Sequence, residues 1–349
     1  MRPLSSAVLA LSTLALTACD PPEEGSVPTL RSLSFTHCGQ QNCGRNAHVA
    51  GAISINHLSS DSINGYRFIG AMTPEGQPAD VVFRGDELTL VTGDDVELRG
   101  PQLVGLRFVL LGDAGEEVHL HLDGLHGAGV PSLKIAGLQY RTYRFSMTVD
   151  GSPPRPLCEQ TPWNDHGSTA GLGSRDALVI PREGYAWDGD PLIPPHVPDG
   201  EGDAWFTIGC AGGAYAKKVL LGYDPTLPRT HEAATSVGEN EAMMRMLTAQ
   251  YCREGSHFTM TGTPLFWENQ QGWFEPPSGL QVEAIWSPNG AVCLNEPRLV
   301  DPQLVFDECG YIPPCAGIDP TEYPLVSYTV GETSTEENWP IPEAFTGPL

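Results

Sequence analysis

The stretch Glu117-Val118-His119-Leu120-His121-Leu122-Asp123 alternates strictly between polar and apolar residues. Successive side chains of a β-strand point to opposite faces of its sheet, so this stretch has one polar face and one apolar face. An antiparallel strand that is solvated on one side and packed on the other has this pattern. The stretch therefore favours a chain that is built mainly from β-structure.

The polar face of this strand also offers a metal-binding alternative. His119, His121 and Asp123 share that face with Glu117, and imidazole and carboxylate groups are ligands of zinc and other divalent ions. The run partly resembles the His-x-His-x-Asp-His motif of metallo-β-lactamases, but Gly124 stands in place of the final His. We predict a solvated strand face here and keep His119, His121 and Asp123 as the metal ligands of the alternative.

Short strand candidates continue on the N-terminal side, at residues 81–83, 87–91 and 106–111, separated by Gly, Asp and Pro. Two blocks in this region place an apolar residue at every fifth position, a period that fits neither a strand nor a helix. They are Leu58, Ile63 and Phe68, and Leu98, Leu103 and Phe108. Residues 30–135 are therefore predicted to be β-rich, with either a short repeat of tight corners or ordinary Gly-rich hairpins.

The C-terminal side adds helices to this pattern. A strand at residues 140–147 is followed by a Pro-rich turn at 153–156, and a buried strand is predicted at 205–208. Residues 214–221 and 239–251 have the spacing of short helices, and strands follow at 258–260 and 281–286. The fold class predicted from these elements is mainly β and α+β, with an α+β domain over residues 136–300. Residues 301–349 are predicted to form a C-terminal extension.

The first residues predict export. An uncharged run of 13 residues, 4–16, follows Met1 and Arg2, and it is shorter than the roughly 20 residues that a membrane-spanning helix needs. The run ends in Leu16-Thr17-Ala18-Cys19, which resembles the lipobox of bacterial lipoproteins. In that class the Cys is acylated and becomes the new N-terminus. We therefore predict a signal peptide at 1–18, lipidation of Cys19, a polar tether at 19–29, and a membrane-anchored protein of the bacterial cell envelope.

Eight cysteines remain after Cys19, and an even number in an exported chain indicates disulfides. They are Cys38, Cys43, Cys158, Cys210, Cys252, Cys293, Cys309 and Cys315. Closeness in sequence suggests the pairs Cys38–Cys43 and Cys309–Cys315. For the other four we favour Cys158–Cys210 and Cys252–Cys293, although eight cysteines allow about 105 pairings. No Cys-x-x-Cys pair is present, which disfavours zinc.

Charge excludes one class of partner. The chain has 19 basic and 43 acidic residues, a net charge of −24, so a phosphate backbone would be repelled and nucleic-acid binding is not expected. Asp199, Glu201 and Asp203 lie in a Gly-containing loop that could offer oxygens to Ca²⁺. Ala204 stands where an EF-hand needs Gly, and the distal Glu is missing, so a solvated acidic loop is predicted.

The sequence predicts no catalytic residues and no cofactor. It contains no Gly-x-Ser-x-Gly elbow, no His-Glu-x-x-His pair and no Gly-rich phosphate loop. Each cysteine of the mature chain has a candidate disulfide partner, which argues against a thiolate nucleophile. Paired carboxylates for glycoside hydrolysis stay open, because 43 acidic residues always offer pairs.

Several segments between residues 136 and 300 resemble the ADYC domain, a bacterial family named for an Ala-Asp-Tyr-Cys tetrapeptide. Its counterpart here is Ala249-Gln250-Tyr251-Cys252, in which Gln250 replaces the Asp. Further matching segments occur in order: Pro156-Leu157-Cys158, Phe206-Thr207-Ile208-Gly209-Cys210, Gly222-Tyr223, and Gly290-Ala291-Val292-Cys293-Leu294. Members of this family are mostly exported or lipid-anchored, and no activity is established for them.

The resemblance implies one spatial relationship and a function class. Many relatives have Cys at the positions of Lys218 and Met243, which implies that the two helices holding these residues are neighbours. The function that we expect is that of a non-catalytic binding or surface-structural module, with an unidentified protein or glycan partner. The alternatives are a hydrolase that acts on envelope glycans or peptides, and a Ca²⁺-stabilised adhesion protein.

Overall fold

A computed structural model describes residues 44–45, 52–132, 135, 137–158, 176–185, 192, 202–210, 213–227, 231, 233–258, 264–270, 279–298 and 300–329. The strands in these ranges are β1 Gly44–Arg45, β2 Ala52–Asn56, β3 Tyr66–Met72, β4 Pro78–Arg84, β5 Glu87–Thr92, β6 Glu97–Arg99, β7 Arg107–Gly112, β8 Glu117–Pro131, β9 Gln139–Val149, β10 Arg155–Pro156, β11 Asp176–Pro181, β12 Trp205–Cys210, β13 Pro264–Asn269, β14 Gln281–Ser287, β15 Gly290–Leu294 and β16 Leu325–Thr329. The α-helices are α1 Ala214–Leu220, α2 Val237–Thr248 and α3 Pro302–Cys309.

The larger sheet has eleven strands, with the order β2-β12-β11-β9-β8-β7-β3-β4-β5-β6 and β10 paired to β9. Its neighbouring strands run antiparallel. The ring centroids of Phe83 on β4 and Phe206 on β12 lie 5.5 Å apart, although these strands are distant in the strand order. The sheet therefore curls around a core of its own, to which strands from β2 to β12 contribute.

The strand β11 is buried on both faces, and this explains its continuous apolar run. Ala177 and Val179 point into the core of the curled sheet. Leu178 and Ile180 point the other way, into a second core that includes α1 and α2. Each buried Leu or Ile side chain contributes about 1.5–3 kcal/mol to stability.

The helix α1 lies close against β12 at Gly209. A Cβ atom at this position would lie 3.2 Å from the Cβ of Tyr215 and 3.3 Å from the backbone nitrogen of Ala216. The glycine therefore allows the helix to approach the strand backbone. α1 also packs against α2, so the neighbouring helices that the resemblance implied for Lys218 and Met243 are present.

The smaller sheet has five strands in the order β1-β13-β16-β14-β15. It covers the opposite side of α2, and Trp267, Trp286 and Leu325 contribute to the core between them. Its outer face carries a small third cluster that includes Ile285, Cys293 and Cys315. The described chain therefore consists of a curled sheet, a helical layer and a second sheet.

The two helices predicted before residue 300 are confirmed as α1 and α2, with shifted bounds for the second. Ser236 caps α2: its hydroxyl accepts a hydrogen bond of 3.2 Å from the Glu239 amide, and the Glu239 carboxylate accepts one of 2.7 Å from the Ser236 amide. This reciprocal cap starts the helix before residue 239. Ala249, at φ 51°, ends it before residue 251.

The fold-class prediction of a mainly β, α+β chain is confirmed. The period-five blocks belong to hairpins of the curled sheet and not to a β-helix. Leu58 is 74% exposed, whereas Phe68 and Phe108 both pack in the curled core, so the apolar residues of a block do not all point inward. Ordinary antiparallel pairing accounts for these strands.

The sheets join segments that the sequence assigned to separate regions. The boundary predicted at residue 136 falls between β8 and β9, which pair along most of their lengths. Beyond residue 300, β16 lies in the middle of the smaller sheet, and Val305 of α3 is buried in the second core. Among the described helices, none has the length and hydrophobicity that a membrane crossing requires.

Candidate functional site

Three disulfides connect the six described cysteines: Cys158–Cys210, Cys252–Cys309 and Cys293–Cys315. The first pair is the one that the sequence favoured. The predicted pairs Cys252–Cys293 and Cys309–Cys315 are wrong. α3 brings Cys309 back to the tetrapeptide, and the segment after it brings Cys315 to β15, so closeness in sequence was misleading. Cys19, Cys38 and Cys43 lie outside the described residues.

The tetrapeptide forms the corner that follows α2. Ala249 takes the left-handed conformation, and its carbonyl accepts a hydrogen bond of 3.2 Å from the Phe258 amide. The Gln250 side chain is buried, and its amide donates to the Gly255 carbonyl at 3.3 Å. Cys252 completes the corner through its bond to Cys309. The residues of this motif therefore hold the chain in place.

Tyr251, the third residue of the tetrapeptide, is tied to a buried ion pair. Its hydroxyl donates to Glu283 Oε1 at 2.6 Å, and the Arg298 Nε group donates to the same oxygen at 2.6 Å. Burial, followed by the charge of Glu283, raises the pKa of Tyr251 well above its usual value. Tyr251 therefore stays a neutral donor, and the three side chains connect the corner to β14.

Gly290, in the last segment that resembles the family, allows the backbone to pass close to the Tyr251 carbonyl. At this residue φ is +106°, and an added Cβ would lie 2.4 Å from the carbonyl oxygen of Tyr251. The next residue, Ala291, donates its amide to that oxygen at 2.9 Å. Only glycine permits this approach.

A second buried ion pair lies between α1 and the curled sheet. Lys218 is completely buried, and its ammonium group contacts Glu183 Oε1 and donates to the Tyr185 hydroxyl at 2.9 Å. Burial raises the pKa of Glu183, and the charge of Lys218 offsets part of that shift. The lysine thus has a local partner at a position where many relatives have a cysteine.

A narrow cleft lies beside this helix and encloses a small group of polar side chains. Its walls include Asp86, Tyr140 and Asp224, and its enclosed part has room for about one water molecule. Asp224 is 2% exposed and Tyr140 is 4% exposed. The Tyr140 hydroxyl lies beside the Asp224 carboxylate, and its hydrogen bonding to Asp224 helps to raise the pKa of Tyr140.

The acidic groups of this cleft affect each other and Tyr140. Asp86 lies in the turn between β4 and β5; desolvation raises its pKa, and the charge of Asp224 adds to that shift. Burial, and then the charge of Asp224, raises the pKa of Tyr140 far above its usual value. Tyr140 is therefore a neutral phenol beside two carboxyl groups. Sequence patterns gave no signal for this cleft, because its residues come from separate turns and strands.

The metal candidates on β8 are engaged with neighbouring side chains. His119 contacts Glu117, and His121 Nε2 lies 3.3 Å from the Thr148 hydroxyl. Asp123 accepts a hydrogen bond of 2.9 Å from Ser146. Across the part of the chain that the structure describes, no group of three or more His, Cys, Asp or Glu residues is arranged to hold a metal ion. The strand therefore gives no geometric support to the metal alternative.

Of the predicted calcium loop, only Asp203 lies within the described residues, whereas Asp199 and Glu201 lie outside them. Asp203 Oδ1 accepts a hydrogen bond of 2.6 Å from Arg182, and both side chains are about half exposed. Its carbonyl oxygen lies 3.0 Å from His57 Nε2. Asp203 therefore takes part in a surface ion pair.

A family model described as the ADYC domain matches residues 100–300. The chain belongs to the ADYC domain family. The match starts before residue 136, where the resemblance was expected to begin, and so includes β7 and β8. No curated protein matches the chain, and no solved structure matches it. In this ADYC domain, the tetrapeptide and the Gly290 segment meet at one corner through the Tyr251 carbonyl.

Proposed function

We propose that this ADYC-domain protein is a lipid-anchored, non-catalytic binding or surface-structural module of the bacterial cell envelope. The observation that carries the proposal is that side chains of the family's tetrapeptide are buried and bonded inside the fold. Tyr251 is 1% exposed and bonded to Glu283, and Cys252 is bonded to Cys309. These two side chains therefore stabilise the fold, and neither of them is available to react with a substrate.

The other ionisable groups of the interior support the same conclusion. Lys218 is paired with Glu183, and Arg298 is paired with Glu283. Each of the six described cysteines is in a disulfide, so none of them offers a thiolate nucleophile.

Export and anchoring rest on the sequence and on the disulfides. The lipobox-like segment that ends at Cys19 supplies the anchor. Disulfides persist in oxidising compartments outside the cytosol, and three bridges in the described chain agree with export. An acyl anchor of two or three chains would hold the protein at the membrane surface.

The hydrolase alternative rests on the cleft, because Asp86 and Asp224 are the two carboxyl groups that a glycosidase mechanism would need. The cleft is narrow for that role. Its enclosed part, around Asp224 and Tyr140, has room for about one water molecule. Such a space does not admit a sugar ring, and this disfavours hydrolysis at these two carboxyl groups.

The test is to incubate the purified mature protein, with Cys19 replaced by Ser, with isolated cell-wall sacculi. We expect that no soluble glycan or peptide fragments are released. Release of fragments that is lost in Asp86→Asn and Asp224→Asn would contradict the proposal and establish the hydrolase alternative. A rise in melting temperature with added Ca²⁺ would instead support the adhesion alternative.

A further inference from the structure

We propose that the Cys252–Cys309 disulfide is a redox-controlled clasp, whose reduction by a dithiol releases the helix α3 from the tetrapeptide corner. This inference goes beyond the function proposed above, because it concerns a change of state within the module. The bridge is itself the group that is reduced, and no substrate is converted.

The three described disulfides differ in how far solvent reaches them. Cys252 and Cys309 are both partly exposed. The cysteines of the other two bridges are buried, with exposed fractions of 2% for Cys158, 7% for Cys210, 0% for Cys293 and 8% for Cys315. Because a thiolate must reach a sulfur atom in order to attack it, exposed disulfides are reduced more readily than buried ones. The bridge at the tetrapeptide corner is therefore the one that a reductant should open first.

The chain on both sides of this bridge leaves it open to a reductant that is carried on another protein. Arg253 and Glu254 follow Cys252 directly, and both are exposed. On the other strand of the bridge, Glu308 precedes Cys309 and is exposed as well. A dithiol at the surface of a second protein can therefore approach the bridge without unfolding of the cores.

The corner side of the bridge is held by bonds that do not depend on it. The Arg245 guanidinium donates to the Cys252 carbonyl at 3.3 Å, and the Ala291 amide donates to the Tyr251 carbonyl at 2.9 Å. The Tyr251 side chain is buried and donates to Glu283. The corner should therefore keep its conformation after the bridge is reduced.

The helix α3, on the other side of the bridge, has few contacts of this kind. Val305 is its buried residue, and the rest of the helix is exposed or partly exposed. The Glu308 carboxylate accepts a hydrogen bond from the Ser256 amide in the loop after the corner. The hydrogen bond from Gln303 to Asp307 lies within the helix. α3 therefore depends on the disulfide for much of its attachment.

The segment that carries α3 is fixed on both sides, so the helix can move without leaving the fold. Before it, Arg298 is buried and pairs with Glu283 at 2.6 Å. After it, Cys315 is bonded to Cys293 on β15. Between these two points the corner bridge ties α3 to the body of the domain. Its reduction therefore turns α3 into a flap with two fixed ends.

The exchange needs a dithiol and proceeds in two steps. One thiolate of the dithiol attacks a sulfur of the Cys252–Cys309 bridge, the S–S bond breaks, and a mixed disulfide forms while the other cysteine leaves as a thiolate and takes up a proton. The second thiol of the dithiol then attacks the mixed disulfide and releases the remaining cysteine. Two electrons and two protons pass to the bridge, and the dithiol is oxidised to its own disulfide.

The first test measures the order in which the bridges are reduced in the folded mature protein, with Cys19 replaced by Ser. Dithiothreitol is the dithiol probe, and free thiols are alkylated and located by peptide mapping at successive times. We expect Cys252 and Cys309 to become free together, at least about tenfold faster than the cysteines of the two buried bridges. Reduction of either buried bridge first, or of all three together, would overturn the proposal.

The second test asks whether reduction releases α3, and it uses amide hydrogen exchange of the selectively reduced protein. We expect the amides of α3 to exchange at least about tenfold faster than in the oxidised protein, because the helix opens locally. The amides of α2 serve as the internal control and should exchange as before. Unchanged exchange in α3 would contradict the release, and an equal acceleration in α2 would mean that reduction unfolds the whole domain.

A double variant reproduces the reduced state without a reductant. Cys252→Ser with Cys309→Ser should show the fast exchange of α3, and dithiothreitol should not increase it further. The matched control is Cys158→Ser with Cys210→Ser, which removes a buried bridge and should leave α3 as protected as in the unmodified protein. Slow exchange of α3 in the first variant would contradict the clasp. If a variant does not fold, the two measurements on the intact chain decide.

Discussion

The Tyr251 hydroxyl donates a 2.6 Å hydrogen bond to Glu283 Oε1, and both residues are almost completely buried. Glu283 also pairs with Arg298, whose guanidinium reaches the Met246 carbonyl of α2 at 3.0 Å. The tetrapeptide corner, the smaller sheet and α2 are therefore held by one polar network. This relationship explains why a Tyr suits the tetrapeptide without requiring a reaction at that residue.

Replacement of Tyr251 by Phe should lower the free energy of unfolding by about 1–3 kcal/mol, because Glu283 loses a neutral donor in a buried place. Urea denaturation measures the effect. The matched control is Tyr311→Phe, since Tyr311 is 74% exposed and its hydroxyl should contribute little. Equal stability of the two variants would show that the buried hydrogen bond does not contribute as proposed.

Replacement of Lys218 by Met should destabilise the protein by about 3–5 kcal/mol, because Glu183 then lacks its buried counter-charge. The double variant Lys218→Met with Glu183→Leu should recover most of that loss, since an apolar pair replaces the ion pair. Thermal and urea unfolding of the three proteins measure the effect. A double variant that is no more stable than Lys218→Met would contradict this account of the pair.

The decrease in the free energy of unfolding that Lys218→Met causes should also depend on pH. Burial raises the pKa of Glu183 in the folded protein, so the folded state binds more protons than the unfolded state between the ordinary and the raised pKa. Stability that depends on this group is therefore greatest at low pH and falls as the pH rises through that window. We expect a smaller loss at pH 5 than at pH 8. The opposite trend would mean that Glu183 is not the group that is left unpaired.

Replacement of Gly209 by Val should push α1 away from β12, because the Cβ position already lies 3.2 Å from the Cβ of Tyr215. Overpacking of this kind costs about 1–3 kcal/mol. Gly93→Ala is a suitable control, because an added Cβ there meets nothing within 4 Å. Melting temperatures of both variants would show whether the helix approach is as tight as described. A Gly209→Val protein that melts like the unmodified chain would contradict it.

Local patterns in the sequence predicted the elements but not their long-range arrangement. The alternation around His119 and His121 identified β8 correctly, since one face of that strand packs into the curled core. The apolar run at 205–208 and the helical spacing at 239–251 were also informative. The shared sheet across residue 136 was not visible, because strand pairing depends on contacts between residues that are distant in sequence.

The candidate site was less predictable for the same reason. Asp86 lies in a hairpin turn, Tyr140 on β9 and Asp224 after α1, so no spacing rule connects them. Cys309 and Cys315 look like a local loop in sequence, but α3 places each of them beside a different distant cysteine. Charge and composition predict against nucleic-acid binding, but they carry no information on which side chains meet in the cleft.

Intact mass together with non-reducing peptide mapping of the protein from its native host tests the account most directly. We predict a mature chain that begins at an acylated Cys19 and contains the bridges Cys158–Cys210, Cys252–Cys309 and Cys293–Cys315. A chain that retains residues 1–18, free thiols at these six positions, or a Cys252–Cys293 bridge would contradict the proposal of an exported, lipid-anchored module built around the tetrapeptide corner.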